Sequence, residues 1–388
     1  MPHRFSPEFQ LAIACVLPQG DTRSQRMERL LEAGIDWPLM LRVLERHRIS
    51  GLAASALRPY ADGIPAETWQ VLQHAMRRDG LENLRQAMGS RSVVEALARE
   101  GVACAVLKGV TIGQLAYGSE TIRHSRDIDM VILPEDIWKA DDVLREMGYR
   151  REMPKPDWSR ERIERSRLHQ KHFEYFHDQQ KMKLELHARL CNNRFLTPLQ
   201  FDPKQVMQVT LAGCGITLPT LPTQDLVLYL CLHGASHSWM RLKWLADIVA
   251  ILSTWSVTEL QELTAYAKHC RLERQLAQAV VLSDILCGVS LPIIVPRSNR
   301  VKMATRLAVS ILSAGQGADE PYSHTFNSSL IGLSQFLVSH DMRSLVAHAG
   351  DLATSGGYYS NHNVVAATPA RTLGWLQRRT RQLLRHRK

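Results

Sequence analysis

The sequence predicts a helix-rich α+β protein, with a small mixed β-sheet in residues 101–215 and helical regions at 1–100 and 216–388. Three observations carry this. Apolar residues recur at helical spacing in both flanks. Between them, short runs either alternate apolar and polar residues with period two or are continuously apolar, as strands are. Leu, Ala, Arg and Gln abound while aromatic residues make up only 6%. At 388 residues and 45% apolar content, the chain has enough apolar material for two or three packed subdomains.

The elements follow in order. Arg26–Glu32, Leu39–Leu44 and Ile49–Leu57 carry helical patterns, and Pro65-Ala66-Glu67 opens a long amphipathic helix reaching Arg99, with Gly101 as its stop. Val102–Leu107 is a continuous apolar run, read as a buried strand. Lys108-Gly109 is a turn and Val110–Tyr117 a short helix. Asp127–Leu133 reads as a second strand, and Pro134 opens a helix stopped by Gly148. Arg150–Lys171, with eight Lys or Arg and four acids, reads as a charged surface loop with one polar helix at most. His172–His177 and Met182–His187 flank Asp178–Lys181 as a hairpin. This order implies a sheet with helices on one side. After Pro222 the helical pattern runs to Leu312, Ser313–Ala318 is a loop, and 353–364 look irregular.

The formal charge is +10, which suits an anionic partner without choosing one. From Arg371 to Lys388 there are seven basic residues and no acid, with interleaved leucines. That tail reads as a solvated terminus or a contact for an anionic partner. Seven scattered cysteines without a CxxC pair point to reduced thiols in a cytoplasmic protein. No run of 18 apolar residues occurs, so no transmembrane segment is expected. No RNA-binding signature occurs, so a polynucleotide is not the favoured partner.

The candidate site centres on Asp127 and Asp129. On a strand they share a face, and two carboxylates a pleat apart suit a hard divalent cation. Lys108-Gly109 precedes a helix N-terminus, where free N–H groups suit phosphate. Glu185 and His187 lie on the polar face of their strand. Three acids brought together repel unless a cation joins them. His233 and His237 share a helix face. Gly234 stands where a zinc-protease helix needs Glu, which makes a core or capping role the plainer reading of the residues themselves.

Taken together, Leu107-Lys108-Gly109, Arg123-His124-Ser125-Arg126-Asp127-Ile128-Asp129 and Leu184-Glu185-Leu186-His187 resemble the nucleotidyltransferase superfamily, whose best-known member is DNA polymerase beta. With Leu115-Ala116-Tyr117, His233–Trp239 and Arg241–Ile248 added, residues 20–260 are more similar to the bacterial nucleotidyltransferase family NTP_transf_5. The resemblance implies that Asp127 and Asp129 bind two magnesium ions, or manganese in their place. It implies that Glu185 binds the catalytic metal and helps deprotonate an acceptor hydroxyl. It makes Lys108, Gly109, Arg123, Ser125, His187, His233, His237, Arg241, Lys243 and Asp247 candidates for nucleotide binding. The superfamily's Gly-Ser turn is here Lys-Gly, so Lys108, Arg123 or Ser125 would take over the phosphate contact. The implied reaction moves a nucleoside monophosphate from an NTP to a small-molecule or peptide acceptor and releases pyrophosphate. The alternatives are phosphoryl transfer by the same site and a non-catalytic nucleotide-binding regulator.

Overall fold

Two of the N-terminal helices begin where a side chain satisfies a free amide. The Ser6 hydroxyl accepts from the Phe9 N–H at 3.2 Å, and Pro7 opens α1 (Pro7–Cys15). Asp36 accepts from the Leu39 N–H at 3.0 Å at the start of α3 (Trp37–His47). Between these lies α2 (Asp21–Glu32); α4 (Ser50–Leu57) and the 34-residue α5 (Ala66–Arg99) follow. The computed structural model describes residues 5–354 apart from 168–169, 297, 321–330, 332–333 and 340–341.

Seven strands form one mixed sheet: β1 (Cys104–Val106), β2 (Asp127–Ile132), β3 (Tyr149–Met153), β4 (His172–His177), β5 (Met182–His187), β6 (Met207–Thr210) and β7 (Thr217–Thr220). Their spatial order is β3-β4-β5-β2-β1-β7-β6. β2 runs parallel to β5 and β1 parallel to β7, while the other neighbours are antiparallel. The fold class agrees with the sequence expectation, but three strands go beyond it. β3 falls largely within the stretch expected as a charged loop; it is an edge strand, where Arg150 and Arg151 are tolerated. β6 and β7 are four residues each and close the opposite edge.

Helices cover both faces of the sheet, not one. Between the first strands lie α6 (Val110–Tyr117), α7 (Ile137–Glu146) and α8 (Arg160–Ser166). Ile128, Met130 and Ile132 of β2 pack with Leu184 and Leu186 of β5 against α5, α7 and α8 through Val93, Leu97, Leu144 and Ile163. On the opposite face Ala105, Leu107 and Val131 join the larger core of the N- and C-terminal helices. That core is completed by α9 (Thr223–Ser236), α10 (Leu242–Leu252), α11 (Val257–His269), α12 (Glu273–Leu282) and α13 (Asn299–Leu312); α14 (Met342–Thr354) follows in sequence. The expected helical run is interrupted between Cys287 and Ser298, and the Ser313–Ala318 loop holds a short 3-10 turn.

Ala353 and Thr354, expected to be irregular, end α14, and the rest of that stretch and the basic tail lie outside the described residues. All seven cysteines are free; five are buried, Cys191 is partly so and Cys214 is exposed. No described helix is long and apolar enough to cross a membrane.

Candidate active site

Register builds the site. In the parallel pair, Asp127 stands opposite Lys183, Asp129 opposite Glu185 and Val131 opposite His187. Alternation puts Asp127, Asp129, Lys183, Glu185 and His187 on one face, because their neighbours Ile128, Met130, Leu184 and Leu186 fill the core on the other. The hairpin adds His172, directly across from His187, and Glu174, across from Glu185.

Lys108 follows β1 and reaches the same face. Its Nζ lies 2.9 Å from Asp129 Oδ1. The Leu107 N–H donates to the Asp129 carbonyl at 2.9 Å, which extends the β1–β2 ladder up to the turn. Gly109 has φ +77°, ψ −127°, a conformation open to glycine and strained for other residues. A Cβ there would meet Ser125 Oγ at 3.2 Å. Ser125 itself donates to the Asp127 carbonyl at 3.2 Å, so Gly109 and Ser125 pack the Lys108-Gly109 turn against the start of β2.

The charges are strongly coupled. Burial raises the Asp127 pKa, and the neighbouring Asp129 and Glu185 raise it further against the pull of Lys108. Burial acts on Asp129 the same way, but Lys108 and the His187 contact (Nε2 to Oδ1, 3.2 Å) outweigh it and hold that carboxyl below its ordinary value. Glu185 is likewise buried, yet His187, His172 and Lys108 hold it far below the usual carboxylate range. Burial opposes charge on Lys108, and Asp129 with its neighbours more than restores it. Like charge thus falls chiefly on Asp127, and three oxygen ligands on one face are the donor set that a hard divalent cation takes.

The helical layer supplies the opposite wall. Tyr229 on α9 is fully buried, its hydroxyl has no hydrogen-bond partner among the described residues, and Lys108, Asp129, Glu185 and Asp127 all act on it electrostatically. His233 and His237 follow one and two turns later, with ring centroids 4.9 Å apart, and Trp244 lies 4.9 Å and 5.5 Å from them. Their Nδ1 atoms are buried without partners among the described residues. Burial, then nearby lysines, lowers both pKa values, that of His237 to about 3, so both rings are neutral near pH 7. Gly234 lets α9 approach the chain's return, since a Cβ there would lie 2.5 Å from the Trp239 ring.

Other expected site residues are engaged differently. Arg123 is 2% exposed and forms an ion pair at 2.8 Å with Asp247, which is 0% exposed; neither Lys243 nor Arg241 is the partner of that aspartate. Arg241 pairs with Glu320 at 2.7 Å. Lys243 donates to the His124 carbonyl at 3.1 Å, and burial with Arg123 and Arg48 lowers its pKa well below the ordinary lysine value.

Residues outside the expected set also meet here. Arg48, just after α3, lies within electrostatic reach of Asp127, and Lys171 within reach of Lys108, Glu185 and Asp129. Lys183 sits 3.0 Å from Glu174 and 3.3 Å from Glu185. Strand alternation alone marks Lys183 and His172 as neighbours of Glu185. Arg48, Lys171 and Tyr229 carry no such local signal.

The mixed sheet thus presents two aspartates a pleat apart, with a third acid in register on a parallel strand and a Lys-Gly turn beside them. Residues 33–288 match the family NTP_transf_5, described as an uncharacterised nucleotidyltransferase, and the chain belongs to that family. No curated protein matches the chain closely enough to count as a relative.

Proposed function

We propose that this protein transfers a nucleoside monophosphate from an NTP to a hydroxyl of a small molecule or peptide, releasing pyrophosphate. The observation that carries the reading is the register of Asp129 against Glu185, with Asp127 one pleat earlier on the same face. These three carboxylates would hold magnesium or manganese. When bound, the metal neutralises phosphate charge and acidifies the attacking hydroxyl.

The chain's own groups would do the positioning. Lys108 and the amides after Gly109 face the phosphates, with Lys171 adding positive charge. Neutral His233 and His237, beside Trp244, offer a wall for the base and unpaired nitrogens for hydrogen bonds. Glu185 would accept the hydrogen bond of the acceptor hydroxyl and assist its deprotonation. The acceptor oxygen bonds to the α-phosphorus, the bond from that phosphorus to the β-bridging oxygen breaks, and pyrophosphate leaves with the electron pair.

One observation favours a second reading, nucleotide binding without turnover. Lys108 Nζ already sits on Asp129 at 2.9 Å, and no Ser follows Gly109. The two are separated by incubating the purified chain with each NTP, magnesium and cell extract, with mass spectrometry of the products. Addition of a nucleoside monophosphate supports the proposal; addition of phosphate alone makes the protein a phosphotransferase. Magnesium-dependent NTP binding without any product supports the regulator. Pyrophosphate release at an unchanged rate by a variant lacking all three acids would overturn the assigned site.

A further inference from the structure

On the site face of the β4–β5 hairpin, His172 pairs across the strands with His187 and Glu174 with Glu185. Directly opposed residues on a sheet bring their Cβ atoms within about 5 Å. The two oxygens of Glu185 face different neighbours. Its Oε1 lies 3.3 Å from Lys183 Nζ, while its Oε2 lies 3.7 Å from His187 Nε2 and 3.9 Å from His172 Nε2. One donor atom from each of His172, Glu185 and His187 lies within 4.8 Å of the other two. His187 is fully buried and His172 largely so, and the Nδ1 of each has no hydrogen-bond partner among the described residues. The sheet has therefore gathered the Nε2 atoms of two imidazoles around one carboxylate oxygen, a mixed nitrogen and oxygen donor set at near-ligand spacing.

We infer that His172, Glu185 and His187 bind a divalent transition-metal ion, of the manganese, cobalt or zinc class, at a site sharing Glu185 with the Asp127–Asp129 pair. The donors decide the class. Magnesium takes oxygen ligands in near-ideal octahedra and keeps its waters. Imidazole nitrogen with one carboxylate suits first-row transition ions instead. The spacing agrees. Ligands at about 2.1 Å around a four-coordinate ion stand about 3.4 Å apart. Contacts of 3.7 and 3.9 Å reach that with side-chain shifts of a few tenths of an ångström. Glu174, 3.5 Å from His172 Nε2, stands beside the set as a hydrogen-bond acceptor or fourth ligand. Asp129 Oδ1, 3.2 Å from His187 Nε2, lies on the nucleotide side. This deepens the reading above, since Glu185 serves both sites.

The test uses metal alone. The full chain, stripped by chelation, is titrated with Co2+ and followed by visible absorption, with no nucleotide present. The expected result is one Co2+ per chain with the bands of nitrogen-ligated cobalt, not displaced by excess Mg2+. His172→Gln and His187→Gln should each weaken Co2+ binding beyond the roughly 10–100-fold typical of losing an outer partner of a metal ligand. His172→Gln should weaken Co2+ binding far more than Mg2+ binding. Equal Co2+ affinity in wild type and both variants, or displacement by equimolar Mg2+, overturns the inference. Should a variant fail to fold by circular dichroism, pulsed EPR of the Mn2+-loaded wild type decides: directly bound nitrogen supports the site, and its absence rejects it. A protein that binds Co2+ through nitrogen yet transfers no nucleotide would refute the proposed function while leaving this site standing.

Discussion

Arg123 and Asp247 form a forked ion pair in the interior, with Arg123 Nε 2.9 and 3.0 Å from the two carboxylate oxygens and Nη2 at 2.8 Å. Tyr117 adds its hydroxyl to the same carboxylate at 3.0 Å. Asp247 thus ties α10 to α6 and to the segment leading into β2. Removing it leaves a guanidinium buried without its partner, which costs about 3–5 kcal/mol. Asp247→Ala should therefore lower the unfolding free energy measured in urea by that amount, with Asp247→Asn milder. An unchanged midpoint would show that the pair holds nothing in place.

The three acids make a different prediction. Asp127→Asn, Asp129→Asn and Glu185→Gln keep shape and remove charge; stability should hold or rise in Asp127→Asn, where like charges crowd, and fall in Asp129→Asn and Glu185→Gln, whose charges Lys108 and the histidines hold. Turnover should fall at least about a thousandfold, since a bound metal contributes several kcal/mol of charge stabilisation. Pyrophosphate release with matched circular dichroism spectra measures it. Near-normal rates in all three variants would remove these residues from the chemistry.

Much of this site is legible in the strand pattern. The alternation in 127–133 and in 182–187 places Asp129, Glu185 and His187 on the polar faces of their strands, and the parallel register then joins them. Other parts are hidden for physical reasons. β3 is a charged edge strand, so it lacks the apolar signature of a buried one. β7 joins β1 through one bridge, Val106 to Thr220, which no local pattern encodes. Tyr229 lies in an unbroken apolar helix run, where its hydroxyl looks like any core aromatic. Arg123 resembles a phosphate ligand in sequence because its partner Asp247 comes from a distant helix.

Stability should depend on pH through buried histidines. His47 is fully buried and its Nδ1 lies 3.0 Å from the Leu242 N–H as an acceptor, which requires a neutral ring; burial, then Arg46, lowers its pKa well below 6.5. His237 is lowered to about 3 by burial and then by Lys171. Depressed histidines stabilise the fold fully above about pH 6.5, and that contribution is lost as pH falls from there towards their folded values. Each such histidine makes unfolding easier by up to about 1.4 kcal/mol per pH unit in that window. Melting temperature measured from pH 7.5 to 5 should fall, and His237→Gln should flatten part of the slope. A midpoint constant across that range would contradict these shifts.

Gly109→Ala tests the turn. At φ +77° alanine costs about 1–3 kcal/mol in strain, and its Cβ would press on Ser125 Oγ at 3.2 Å. NTP affinity, measured by isothermal titration with magnesium, should drop more than global stability does. Equal affinity in both proteins would mean that the turn does not face phosphate.

Asp129 and Glu185 are neighbours across parallel strands, and parallel strands cannot be joined by a tight turn. The chain between them runs through α7, β3, α8 and β4 before it returns. Native contacts between such distant segments raise contact order, and the closure entropy of the long loop falls due before the pairing rewards it. The carboxylate cluster is therefore completed only by a non-local pairing: until β5 joins β2, Glu185 stays in water away from the two aspartates.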